Sequence, residues 1–221
     1  MKLACSALIK FTVGLLLVGA LLFLPAGGFG YLNGWLFIGL LFVPMLILGT
    51  VLMVKAPALL EKRVMAKEKE GTQKGVVAAS GILFIAGFVV ASLDWRFCWS
   101  RVPMWCVVIA SVILLISYAL YAEVMRENMY LSRVVEVQEN QKVIDTGLYG
   151  IVRHPMYAVT LWLFLSIPVV LGSWWSLVCF VPYIAVIAVR IHNEEKVLSA
   201  GLAGYTEYKK RVKYRLLPFI W

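Results

Sequence analysis

The sequence predicts an all-α, polytopic membrane protein of about six transmembrane helices, the last two forming a C-terminal helical hairpin. Three observations carry that expectation. The 221 residues are 62% hydrophobic and only 15% charged, with a mean hydropathy of +0.87, whereas a soluble domain is nearer half apolar and a quarter charged. The apolar residues gather into runs of about 20, the length a helix needs to cross a hydrocarbon core. Finally, 19 of the 21 Lys and Arg residues fall on one side of the resulting arrangement, leaving Arg96 and Arg101 on the other. A disordered chain, a collagen-like repeat and an ordinary soluble enzyme are excluded.

Residues 3–24 form the first run, with Lys10 close enough to the end to snorkel. The run is too long for a signal-peptide core and lacks a clear cleavage site, so it reads as an anchor. An uncharged turn, 25–30, leads into a second run, 32–54. The stretch 55–74 holds six basic and three acidic residues and is expected to be a solvated loop. Runs three and four cover 76–93 and 102–122, and the tryptophan-rich segment between them suits a membrane interface.

Residues 123–155 form the longest polar stretch. The apolar run 156–189 then spans 34 residues, too long for one helix, and Gly172-Ser173 breaks it at the centre. Two arms of roughly 16 residues result, short or tilted for a bilayer. From Arg190 the tail is polar and basic. The chain thus divides into a four-span scaffold, 1–122, with its loop at 55–75, and a region 123–221 built around the hairpin. By the positive-inside rule, both termini and the long polar segments face the cytoplasm.

The net charge of +9 reads as cationic loops on an anionic bilayer surface, and no nucleic-acid partner is expected. Cys5, Cys98, Cys106 and Cys179 make no C-x-x-C pair and have no histidine at ligand spacing, so neither a metal site nor a disulfide framework is expected. No pair of broken helices recurs in two halves, as a transporter requires. Spans one to four carry almost no ionisable groups for an ion path. No G-x-G-x-x-G follows a strand, so a soluble nucleotide-binding fold is not expected either.

The polar residues converge at the open end of the hairpin. Tight closure brings Arg153, His154 and Tyr157 near Arg190, Glu194 and Glu195, and on a helix Arg190 and Glu194 share a face. Each has a plain reading alone. Arg153-His154 is a polar lead-in to a helix that starts on Pro155. The glutamates are a solvated helix end, Arg190 a snorkelling anchor, and Tyr149 and Tyr157 belt aromatics. Together, at both ends of one hairpin, they fit a site better.

Their pattern resembles a known family. Gly147-Leu-Tyr149-Gly-Ile-Val-Arg153-His154-Pro155-Met156-Tyr157 is similar to the G-x-Y-x-x-x-R-H-P-x-Y signature of the isoprenylcysteine carboxyl methyltransferases. Arg190-x-x-x-Glu194-Glu195-x-x-Leu198, Gly204-Tyr205-x-x-Tyr208 and Arg215-Leu-Leu-Pro218 resemble that family's later elements, in the same order. The resemblance covers about residues 134–221. Phospholipid N-methyltransferases share the R-H-P-x-Y and E-E elements.

The resemblance implies a membrane methyltransferase using S-adenosylmethionine. By it, Gln138, Gln141, Lys142, Val143, Ile144, Tyr149, Arg153, His154, Pro155, Met156, Tyr157 and Glu194 hold the cofactor, and Arg190 faces a lipophilic acceptor. Gln141 departs from the histidine frequent there, so no role needing an imidazole is implied for it.

The chemistry is consistent with these residue types. A carboxylate acceptor, with a pKa of about 4, needs no base, only desolvation and aim, and Arg190 can hold it bidentately. An amine acceptor must first lose a proton, and His154 or Glu195 is the candidate base. The leading expectation is carboxyl O-methylation of an isoprenylcysteine-like acceptor. Methylation of a phospholipid or small amine is the alternative, and a non-catalytic transporter or assembly protein the reading from another class. Membrane lipids are the remaining expected partners, with the basic tail residues 209–215 on anionic headgroups.

Overall fold

The computed structural model of the chain describes residues 2–65, 71–132 and 135–221. Among them there is no strand. The helices are α1 (Lys2–Ala26), α2 (Leu32–Lys55), α3 (Pro57–Met65), α4 (Gly71–Phe97), α5 (Met104–Glu127), α6 (Pro155–Val170), α7 (Trp174–Phe180), α8 (Tyr183–Gly201) and α9 (Tyr205–Arg211), with a 3-10 turn at Gly147–Gly150. Five segments are long and apolar enough to cross a membrane: Leu3–Ala26, Leu32–Lys55, Gln73–Phe97, Met104–Glu127 and Trp174–Gly201. The sixth, α6, is a shorter apolar helix of 16 residues. This is an integral membrane protein, and helices satisfy its backbone where no water can.

Three stretches differ from the sequence expectation. The segment 55–74 is not loop throughout: residues 57–65 are helical, with Leu59 and Leu60 buried, while 66–70 lie outside the described residues. The high charge of that stretch masks two adjacent leucines that a helix can tuck beneath the bundle. The second hairpin arm is broken after α7 at Val181-Pro182, where proline cannot donate to the helical ladder. Its continuation, α8, runs to Gly201, well past Arg190, because good helix formers follow and Ile191 and Glu195 are buried.

A shared apolar core joins Ala110 and Leu114 of α5 to Leu163 and Ile167 of α6, with Phe88 of α4 and Phe180 of α7. The hairpin tip, at the end of the bundle carrying Arg96 and Arg101, is pinned by hydrogen bonds. Gly172 turns there with φ +78°, a left-handed conformation that favours glycine. Tyr31 donates to the Leu171 carbonyl (2.6 Å) and Asn33 to that of Val170 (2.8 Å). Buried Asp94 accepts from the Ser100 amide (2.6 Å) and hydroxyl (2.6 Å) and from the Ser173 hydroxyl (2.5 Å). With its tip fixed this way, the hairpin's open end is placed by α6 on one side and by α7 and α8 on the other.

Gly87 of α4 lets α7 approach closely. A Cβ built there would stand 2.2 Å from Cε2 of Phe180. Gly87→Ala is therefore expected to destabilise the bundle by about 1–3 kcal/mol, the usual effect of overpacking. Thermal unfolding in detergent measures it. Phe180→Leu in the same chain should recover most of the loss, and a single mutant as stable as the parent would contradict this packing.

Candidate functional site

At the open end, α6 starts on Pro155 with His154 before it, a position where the missing N–H of proline is harmless. The two residues before Pro155 pair with the tail through their amides. The Arg153 amide donates to the Tyr214 carbonyl (2.9 Å) and the His154 amide to that of Arg215 (2.9 Å). The Arg153 guanidinium donates to the carbonyls of Val212 (2.7 Å) and Lys213 (2.8 Å) and to Glu195 Oε1 (2.7 Å). Thus one buried arginine ties the hairpin entrance to both α8 and the tail.

Glu195 is the hub of that tie. It is 3% exposed, and its second oxygen accepts from Arg215 (3.1 Å), with Lys209 Nζ 3.7 Å away and His154 Nε2 3.3 Å from Oε1.

The turn before the entrance is held from α5. Gly147 has φ +53°, and a Cβ there would fall 1.6 Å from Glu127 Oε1, because that carboxylate accepts from the Leu148 amide (3.0 Å). Tyr149, next in the turn, is buried. Its hydroxyl accepts from Asn128 (3.0 Å) and its carbonyl from the Tyr208 hydroxyl (2.7 Å). Burial pushes the Tyr149, Tyr205 and Tyr208 hydroxyls well above the ordinary tyrosine range, so each stays a protonated donor at neutral pH.

These elements enclose a cavity of about 470 Å³, within the range of small-molecule sites. Of the sequence-expected residues, Gln141, Lys142, Val143, Ile144, Tyr149, Arg153, His154, Met156, Tyr157, Arg190 and Glu194 line it. Three do not. Gln138 instead fastens the loop: its side chain accepts from Lys62 (2.5 Å) and donates to the Tyr130 carbonyl (2.5 Å). Pro155 is spent on starting α6. Glu195 faces the tail, its oxygens taken by guanidinium groups, so the expected role of proton acceptor does not fit its position.

On the cavity wall, Arg190 Nε donates to the Tyr157 hydroxyl (2.8 Å), which in turn donates to Glu194. Deeper along the same helices, Phe164, Tyr183 and Ile187 line an apolar stretch with Val77 and Phe84 of α4. Toward the surface the lining turns polar with His154, Glu194, Tyr205 and Tyr208. Tyr205 lines this space, and its buried hydroxyl has no hydrogen-bond partner among the described residues.

Residues 102–203 match the family model of phospholipid methyltransferases. The match takes in α5, the loop with its turn, the hairpin and all of α8, the elements that supply most of the cavity wall. It leaves out α1 to α4 and the tail. That region is thus similar to membrane methyltransferases. No curated protein matches the chain.

Sequence reasoning missed several contributors. Glu127, Asn128 and Tyr130 reach the turn and loop from α5 and just beyond it. Arg63 and Tyr121 line the cavity from α3 and α5. None stands in a local motif; each acts on residues far along the chain. Tyr205 and Tyr208 were visible only as a spaced pair in the family pattern.

Proposed function

We propose that the protein is an integral membrane methyltransferase that uses S-adenosylmethionine on a lipophilic acceptor, most simply its carboxylate. The observation that carries this reading is the shape of one cavity. Its wall changes from polar to apolar along α6 and α8, and the Arg190–Tyr157–Glu194 chain stands at the change. A polar cofactor and a lipid-like acceptor meet best at such a boundary.

The residues fit the cofactor's chemistry. Gln141, Lys142 and Tyr205 offer polar contacts, Val143, Ile144 and Leu202 offer an apolar wall, and Glu194 offers a counter-charge. The unpaired Tyr205 hydroxyl is a donor in need of a partner. S-adenosylmethionine supplies an electrophilic methyl group on a sulfonium centre. Glu194 balances that positive charge, and Arg190, oriented by Tyr157, holds an acceptor carboxylate in bidentate fashion. Exclusion of water by the apolar wall leaves such a carboxylate poorly solvated and reactive. By the positive-inside rule, we assign the cavity end to the cytoplasmic side together with both termini, where the cofactor is available.

A second reading, N-methylation of a lipid amine, is favoured by the match to phospholipid methyltransferases. His154 is then the proton acceptor on the cavity wall, and Glu194 the counter-charge for the ammonium.

Calorimetric titration of S-adenosylhomocysteine into the detergent-purified protein tests the common part, and absence of binding sinks both readings. Glu194→Ala is expected to weaken that binding at least tenfold. Arg190→Ala is expected to leave it intact while lowering methyl transfer to a farnesylcysteine analogue by about 10²-fold. The pH profile separates the acceptors. A carboxylate, ionised above a pKa of about 4, gives a flat rate from about pH 6 to 8, whereas an ammonium gives a rate that rises with pH as it loses its proton.

A further inference from the structure

Arg63 of α3 lies outside the family match and belongs to the stretch whose composition reads as loop. Yet it is half-buried and lines the cavity. The helix that carries it is fastened on three sides. Lys10 donates to the Val64 carbonyl, Lys62 donates to Gln138 (2.5 Å), and Leu59 and Leu60 are buried. Such a short helix would not hold its position through intrinsic helicity alone. These ties set Arg63 against the cavity.

The guanidinium donates to the Tyr121 hydroxyl and stands 5.1 Å from the centre of that ring. Both are neutral partners. Among the described residues, no carboxylate forms an ion pair with it, in contrast to Arg153, whose charge is matched by Glu195. A hydroxyl and a ring face orient an arginine and leave its charge unmatched. In a partly dehydrated pocket that charge favours an anion with paired oxygens.

We infer that Arg63, oriented by Tyr121, binds an anionic group of the acceptor distinct from its methyl-accepting group, so that the acceptor is an anionic amphiphile. This rests on the methyltransferase reading above for the word acceptor, but not for the binding itself. Phosphate and carboxylate share the required oxygens, and the apolar stretch from Val77 to Ile187 takes the tail. Arg63 here recognises the lipid and touches no reacting atom.

The test measures lipid binding rather than turnover. Full-length protein saturated with S-adenosylhomocysteine is titrated with dihexanoylphosphatidic acid, with N-acetyl-S-farnesylcysteine and with neutral dihexanoylglycerol. The unmutated protein should bind phosphatidic acid tenfold or more tightly than the neutral lipid. R63Q should lose that preference at least tenfold while binding S-adenosylhomocysteine within twofold of the parent. Loss confined to phosphatidic acid assigns a phosphate, whereas loss confined to the farnesylcysteine probe, whose one carboxylate is the methyl-accepting group, overturns the inference. Equal binding of all three probes by the parent overturns the inference, as does an unchanged preference in R63Q. If R63Q fails to bind S-adenosylhomocysteine, R63M, which keeps an apolar stem without the charge, replaces it and is judged by the same two outcomes. Failure of S-adenosylhomocysteine to bind the parent would sink the methyltransferase reading, while the lipid titrations still decide the role of Arg63.

Discussion

Replacing Glu195 with alanine is expected to destabilise the site end of the protein by about 3–5 kcal/mol, the usual result of removing one partner from a buried ion pair. The geometry explains the size. Arg153 is 7% exposed at its side chain and would keep its charge with only two carbonyls to hold it. Arg215 and Lys209 would lose their shared anion at the same time. Since the amides of Arg153 and His154 pair with the tail at Tyr214 and Arg215, the tail is expected to loosen and S-adenosylhomocysteine binding to weaken with it. Thermal unfolding in detergent and calorimetry check both effects. Glu195→Gln separates this role from a catalytic one. A glutamine still accepts from Arg153, so it should restore much of the binding and turnover, whereas a base would lose turnover alone. An alanine variant as stable as the parent would contradict the hub.

Gly147→Ala is expected to weaken cofactor binding at least tenfold. At φ +53° an alanine costs about 1–2 kcal/mol in backbone strain. Its methyl would also displace the Glu127 carboxylate and leave the Leu148 amide without its acceptor, costing a further 1–3 kcal/mol or so. Tyr149 follows Leu148 directly and lines the cavity, so the movement reaches the site. Adding Glu127→Ala removes the clash but neither the strain nor the missing acceptor, and partial recovery at most should follow. Full affinity in the single mutant would show that the turn does not shape the site.

Much of the candidate site can be read along the chain because the hairpin does the folding. Its two arms are long apolar runs broken at Gly172-Ser173, and bringing their outer ends together assembles Arg153, His154 and Tyr157 with Arg190 and Glu194. Arg63 illustrates the opposite case. It follows the charged pair Glu61-Lys62, its partner Tyr121 lies in another helix, and no spacing rule connects α3 with α5. Glu127 is similar, since its carboxylate acts on an amide 21 residues away.

The sequence by itself determined that this is a helical membrane protein, where its spans lie, and which hairpin gathers its polar residues. Those follow from apolar run length and charge placement, both local along the chain. Only the tertiary structure decided how the two adjacent glutamates divide their work. Consecutive residues of an α-helix point about 100° apart, so Glu194 turns to the cavity and Tyr157 while Glu195 turns to Arg153 and the tail. Which of them faces the cavity depends on the rotation of α8 about its axis, and that rotation is set by its packing against α4, α6 and the tail.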